Sequence, residues 1–151
     1  MLGTRNSFSI GSSATFLATA LGTVAALGLI RRNMPFKGTI MAILISPMIV
    51  PLIITSAGMF FFYSKIGLTH TYLGLILAHT ALGTPFVVIT VTATLTGFDT
   101  NLIRASQSLG ADTMRTFFKV IMPLILPGVI SGALFAFITS FDEVVVVMFV
   151  G

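Results

Sequence analysis

Hydrophobic and polar positions alternate along this chain in long blocks. Positions 8–30 carry no charge, and Arg31, Arg32 and Lys37 then interrupt. A second uncharged run covers 38–64, a short polar turn follows at 65–71, and a third run extends over 72–95 with His79 as its one ionisable group. A polar segment at 97–119 precedes a fourth apolar run at 120–141, which ends on Asp142 and Glu143. A helix needs about 20 residues to cross a hydrocarbon layer, and each run meets that length. None alternates with the period of two that a membrane barrel strand requires. The pattern predicts an all-α, polytopic transmembrane helical bundle: one membrane domain over 1–151, with about four spans at 8–30, 38–64, 72–95 and 120–141 and a loop at 97–119.

Composition strengthens this reading. Apolar residues make up 56% of the 151 and charged residues 8%, against about 25% charge in a soluble domain, and mean hydropathy is +1.08. Eight basic and four acidic side chains cannot solvate the surface of a soluble domain this size. The net charge of +4 does not mark nucleic-acid binding, because the basic residues flank apolar runs as membrane-span charges do. Cysteine is absent, which excludes a disulfide framework, a thiol catalyst and a Cys-based metal site. No Gly-x-x-x-x-Gly-Lys phosphate loop, metal-ligand cluster or nucleophile–base pairing occurs, so neither ATP hydrolysis nor a cofactor is expected of this chain. The first apolar run is too long for a signal-peptide core and lacks a basic leader.

Orientation follows from the basic residues. With four alternating spans, the connections at 31–37 and 97–119 share one side and hold Arg31, Arg32, Lys37, Arg104, Arg115 and Lys119, whereas Arg5 and Lys65 lie opposite. The positive-inside rule puts the first group in the cytoplasm. The first span then begins outside, and Phe149, Val150 and Gly151 sit within another apolar run; both features lead us to expect a fragment, truncated at both ends. Ala14, Ala18, Gly22 and Ala26 form a small-residue ridge, as do Gly128 and Gly132. Such ridges allow close helix packing within the chain, or pairing between subunits. Pro47, Pro51 and Pro85 fall inside spans and permit kinks where neighbours satisfy the freed backbone.

The stretch 97–127 is the most specific. Asp99 or Thr100 can cap a short helix running to Leu109, and Gly110 suits its C-terminal stop. A second helical stretch is expected from about Asp112 toward Pro123. The exposed first helix is a natural docking knob. Arg104-Ala105-Ser106, three residues, Gly110, nine residues, then Val120-Ile121-Met122-Pro123 resembles the hallmark loop of the membrane subunits of binding-protein-dependent ATP-binding-cassette importers. That hallmark reads Glu-Ala-Ala, three residues, Gly, nine residues, Ile-x-Leu-Pro. Arg104 departs from the usual Glu, and Ser106 from the second Ala.

A closer resemblance, to the second permease of spermidine/putrescine importers, rests on four segments. These are Pro47-Met48-Ile49-Val50-Pro51, Pro85-Phe86-Val87-Val88, Leu95-Thr96-Gly97-Phe98-Asp99, and Ser140 through Val146. Relatives of this branch carry six spans, of which this chain would match the second to fifth. The resemblance implies a polyamine permease in a bacterial inner membrane, in contact with lipid. Its implied partners are two ATPase subunits, a second permease, and a periplasmic or lipid-anchored solute-binding protein. It also implies that Arg104, Ala105, Ser106, Leu109, Gly110 and Ala111 form the ATPase-coupling loop.

Asp142 and Glu143 form the one acidic pair, at the outer end of the fourth span. Acidic groups at membrane depth face a cavity, a partner or water. Lining a path, the pair would attract a cationic solute, with Phe141 adding cation–π contact; alternatively both lie in interfacial water or bond a helix break. His79 reads as a hydrogen-bonded helix-packing group, with a proton relay or solute ligand as the alternative, His70 as solvated, and Lys65, Arg31 and Arg32 as interfacial anchors. Permeases for other solutes share the coupling loop, so polyamine rests on the acidic pair and the closer resemblance. A stand-alone channel or carrier and a membrane-assembly protein are the rival classes.

Overall fold

The computed structural model describes residues 2–30, 35–97, 99, 101–143 and 147–148. The expected anchors Arg31 and Arg32, the alternative cap Thr100, and Phe149 to Gly151 lie outside them. The chain forms α1 (Leu2–Leu29), α2 (Lys37–Ile49), α3 (Leu52–Ile66), α4 (Tyr72–Thr96), α5 (Asn101–Ser108), α6 (Thr113–Thr116), a π turn (Phe117–Ile121) and α7 (Met122–Asp142). Among the described residues there is no strand. Three helical stretches are long and apolar enough to cross a membrane: Gly3–Leu29, Tyr72–Thr96 and Thr113–Asp142.

The stretch at 38–64, expected as one continuous span, is instead a bent pair. α2 and α3 meet at 104°. Val50 takes an extended conformation, with φ −70° and ψ 136°, because the ring of Pro51 disfavours helix in the residue before it. Pro51 also supplies no N–H to continue the ladder. The chain therefore turns between two half-length helices. At the fourth run the difference lies in where the helix begins. The Oδ1 of Asp112 accepts from the Arg115 N–H at 2.8 Å, so the helix starts at Thr113, before the apolar run. Just ahead of Pro123, the Met122 N–H reaches the Phe117 carbonyl and widens one turn.

α1, α4 and α7 make the core, packed through small residues. A Cβ added at Gly22 would sit 2.6 Å from Val87 Cβ, and one at Gly83 would sit 3.0 Å from Ala136 Cβ and 3.4 Å from Ala18 Cβ. One at Gly132 would meet Thr90 Oγ1 at 2.5 Å and Val87 Cα at 2.7 Å. Ala14, Ala18, Gly22 and Ala26 are all buried, so the ridge seen in the sequence serves packing inside the chain. In lipid, close backbone approach of this kind is a main source of helix association. Four threonines of α4 turn onto their own helix: Thr80, Thr84, Thr90 and Thr94 donate to the carbonyls of Ile76, Thr80, Phe86 and Thr90 at 2.6–2.9 Å.

These contacts fix direction. Ala18 meets Gly83 and Gly22 meets Val87, so α1 and α4 ascend together, while Gly11 approaches Phe141 and Ser140, so α7 descends between them. Two neighbouring helices that run the same way require the chain between them to return. α2 and α3 together make that return, and their bend interrupts a crossing rather than folding the chain back to the side it left.

Candidate functional site

Two places in this bundle carry more than packing, one at each end. At the first, the starts of α1 and α4 meet the end of α7 around a cavity of about 450 Å³. α4 begins sharply there. Thr71 Oγ1 accepts from the Gly74 N–H at 3.0 Å and donates to the Leu68 carbonyl at 2.7 Å. From that cap, Tyr72, Leu75 and His79 fall on one face of α4 and line the cavity, opposite Asn6, Ser7 and Ile10 of α1. α7 contributes Ser140 and Phe141, and Glu143 joins them where the helix gives way to an extended backbone at φ −83°, ψ 97°.

The chemistry of the lining is specific. Glu143 supplies a carboxylate, and among the described residues no Lys or Arg lines the cavity. The Phe141 ring packs on Phe137 with centroids 5.4 Å apart and still borders the space. His79 is 3% exposed, and its Nδ1 has no hydrogen-bond partner; the same holds for the buried Oγ of Ser140. An unmatched buried polar atom costs about 1–3 kcal/mol. Both atoms are closed off from solvent, on side chains that border the cavity. A carboxylate beside the aromatic rings of Tyr72 and Phe141 suits an organic cation.

At the opposite end, α5 stands off the bundle. Asp99 Oδ1 accepts from the Asn101 N–H at 2.9 Å and opens the helix. Gly110, at φ +88°, closes it: the Ala111 N–H reaches the Ser106 carbonyl at 3.1 Å and the Gly110 N–H reaches that of Gln107 at 3.0 Å. This paired bonding needs a left-handed residue, which glycine adopts without a Cβ clash. Ser106 Oγ and Thr116 Oγ1 lie 3.1 Å apart and share a hydrogen bond, and Thr116 is buried. That bond ties α5 to the helix leading into the membrane. Leu109 is 90% exposed. It borders a groove of about 410 Å³ with Leu102, Ala105, Ser106, Ala111 and Arg115.

The sequence profile of binding-protein-dependent transport system inner membrane components matches residues 18–151. The chain belongs to this family. Members of it that resemble the chain include a spermidine/putrescine transport system permease protein PotC from Haemophilus influenzae, 34% identical over 145 residues, covering 96% of this chain and 56% of the relative. The corresponding PotC of Escherichia coli is 34% identical over 138 residues, covering 91% of this chain and 52% of the relative. The putrescine transport system permease protein PotI of Escherichia coli is 30% identical over 154 residues, at 95% and 54%. The chain thus spans about half the length of these relatives. As a member of the inner membrane component family with several membrane-crossing helices, it is a multi-pass protein of a bacterial inner membrane.

Within this family member, the residues singled out from sequence fall into place unevenly. Ala105, Ser106, Leu109 and Ala111 border one groove, with Gly110 as the turn that shapes it, whereas Arg104 is exposed outside the lining. Phe141 and Glu143 border the cavity; Asp142 is exposed and does not. The acidic pair is therefore divided: Asp142 is the last residue of α7, and Glu143 follows it in extended backbone. His79, expected as a hydrogen-bonded packing group, leaves Nδ1 unmatched. Ser140, Asn6 and Tyr72 have no distinguishing sequence signal, since each is a common residue near a helix end. His79 did have one: it is the single ionisable group inside the third span.

Proposed function

We propose that this chain is the permease subunit of an ATP-driven polyamine importer. In this reading it provides four spans, with the second bent, and 97–119 is its cytoplasmic coupling loop. A separate ATPase hydrolyses ATP, a second permease completes the path, and an external solute-binding protein delivers the solute. The observation that carries the polyamine reading is the cavity at the end away from α5: one carboxylate, the aromatic rings of Tyr72 and Phe141, and no Lys or Arg among its described lining. Similarity to spermidine/putrescine permeases over nearly the whole chain supports the same conclusion.

Coupling follows from the second site. ATPase closure pulls on the Leu109 knob, and the Ser106–Thr116 bond transmits the pull to the helix that runs on through α7 to Glu143. One continuous helical stretch, Thr113–Asp142, thereby joins the docking knob to the solute cavity. Binding at either end biases the same element, so the coupling is reciprocal.

The test is uptake by the full-length permease assembled with its ATPase, partner permease and binding protein in proteoliposomes. Labelled spermidine and putrescine should enter in an ATP-dependent way. Glu143→Gln should lower the rate roughly tenfold, on the scale of one hydrogen bond to a charged group, while Asp142→Asn stays near wild type. Import of a different solute, with no polyamine uptake, would overturn the substrate assignment.

A further inference from the structure

Resting on the polyamine reading above, we propose that the same cavity holds its cation by aromatic rings and a carboxylate rather than by neutral hydrogen-bond acceptors, and so takes quaternary ammonium ions as a further ligand class.

Tyr72 and Phe141 are within reach of a ligand. Both line the cavity, and they are 58% and 48% exposed. Tyr72 takes its place from the backbone, as the first residue of α4 after the Thr71 cap. Phe141 is braced by side chains: it packs on Phe137, which meets the Phe8 ring edge-on with centroids 6.1 Å apart. Its Cδ2 also lies 3.6 Å from where a Cβ on Gly11 would stand. Glu143 borders the same space. Aromatic rings with a carboxylate are the groups that recognise a quaternary ammonium.

Neutral acceptors on the α4 and α7 walls are shut or already engaged. His79 Nδ1 and Ser140 Oγ are closed off from solvent, and Thr71 Oγ1 both accepts from the Gly74 N–H and donates to the Leu68 carbonyl. On the facing wall, α1 contributes Asn6 and Ser7. A primary ammonium brings three N–H donors, and each one left unmatched after desolvation is costly. Methyl groups in their place remove that demand and gain apolar contact with Ile10 and Leu75. The positive charge is kept and still meets the rings and Glu143. A cavity of about 450 Å³ is of the size that small-molecule sites have.

The experiment is equilibrium dialysis of labelled choline, and of its neutral isostere with a tert-butyl group in place of trimethylammonium, against the detergent-purified, full-length permease–ATPase complex without its binding protein. Choline should bind roughly tenfold or more tighter than the isostere. Fluorine draws electron density from a ring face and leaves its bulk almost unchanged. Replacing Phe141 by mono-, di- and trifluorophenylalanine should therefore weaken choline stepwise, severalfold in all, and leave the isostere unaffected. Tyr72→Leu should weaken choline severalfold, and Tyr72→Phe, which keeps the ring, should retain most of the affinity. Choline bound no better than its isostere, or equally well across the fluorinated series, overturns the ring-held site while leaving polyamine import standing. Where the fluorinated chains fail to assemble, unchanged choline binding in Tyr72→Leu does the same. A wild-type complex that binds choline but neither binds nor imports spermidine or putrescine overturns the polyamine reading and leaves the ring-held site standing.

Discussion

A hydrogen atom in place of a methyl group decides how closely these helices approach. At Gly132 an added Cβ would press on Val87 Cα, a backbone atom of α4 that cannot swing aside. At Gly58 nothing lies within 4 Å. Gly132→Ala should therefore cost about 1–3 kcal/mol through overpacking. Gly58→Ala should be neutral or slightly stabilising, since alanine is the better helix former. Thermal unfolding of the two variants in detergent measures the contrast, and equal midpoints would refute the packing account. The same scale separates Asp142 from Glu143. Neighbours in sequence, they project in different directions, and only one reaches the cavity.

Among the elements, α5 has the clearest dependence on a single backbone conformation. Gly110 at φ +88° lets the chain reverse into α6 while the last carbonyls of α5 stay bonded. A β-branched residue is a genuine outlier there, at about 1–2 kcal/mol for the left-handed conformation. Gly110→Val should raise the ATP hydrolysed per solute imported by the full complex. Gly110→Asn, which tolerates that conformation, should stay near the wild-type ratio. A Val variant with normal coupling would remove α5 from the transmission path.

Much of this segment was legible beforehand, because capping is local chemistry: Asp99 and Asp112 bond backbone N–H groups two and three residues on. The Ser106–Thr116 bond was not. It joins residues ten apart and depends on how the turn at Gly110 folds two helices onto each other. The break between α2 and α3 was half legible. Pro47 and Pro51 announced a distortion, but uniform hydrophobicity over 38–64 concealed a bend of 104°. Hydropathy records where a segment sits, not its direction.

For the whole molecule, the arrangement puts Lys37, Arg104, Arg115 and Lys119 at the α5 end, with Arg5 and Lys65 at the cavity end. The charge bias and the three-helix core thus agree on one orientation. Because the chain contains no cysteine, single substitutions can report it cleanly. Gln107→Cys and Lys65→Cys both lie at exposed positions. A membrane-impermeant maleimide should label Lys65→Cys in intact cells and Gln107→Cys only after permeabilisation. The reverse pattern would invert the assignment of the cavity to the external face and of α5 to the ATPase.

Solvent preference, helix length and local caps follow from residue chemistry and short-range spacing. The sequence alone therefore determined that this is a helical membrane bundle, where its apolar runs lie, and that a capped knob interrupts them at 99–110. The coupling-loop spacing carried the family. Tertiary structure alone decided that α1 and α4 run side by side in the same direction, and that α2 and α3 form one bent crossing. It also decided that Glu143 shares a cavity with His79 and Ser140 while Asp142 does not. Those outcomes depend on which faces of separate helices meet, and that is set by small residues such as Gly22, Gly83 and Gly132 fitting against partners far away in sequence.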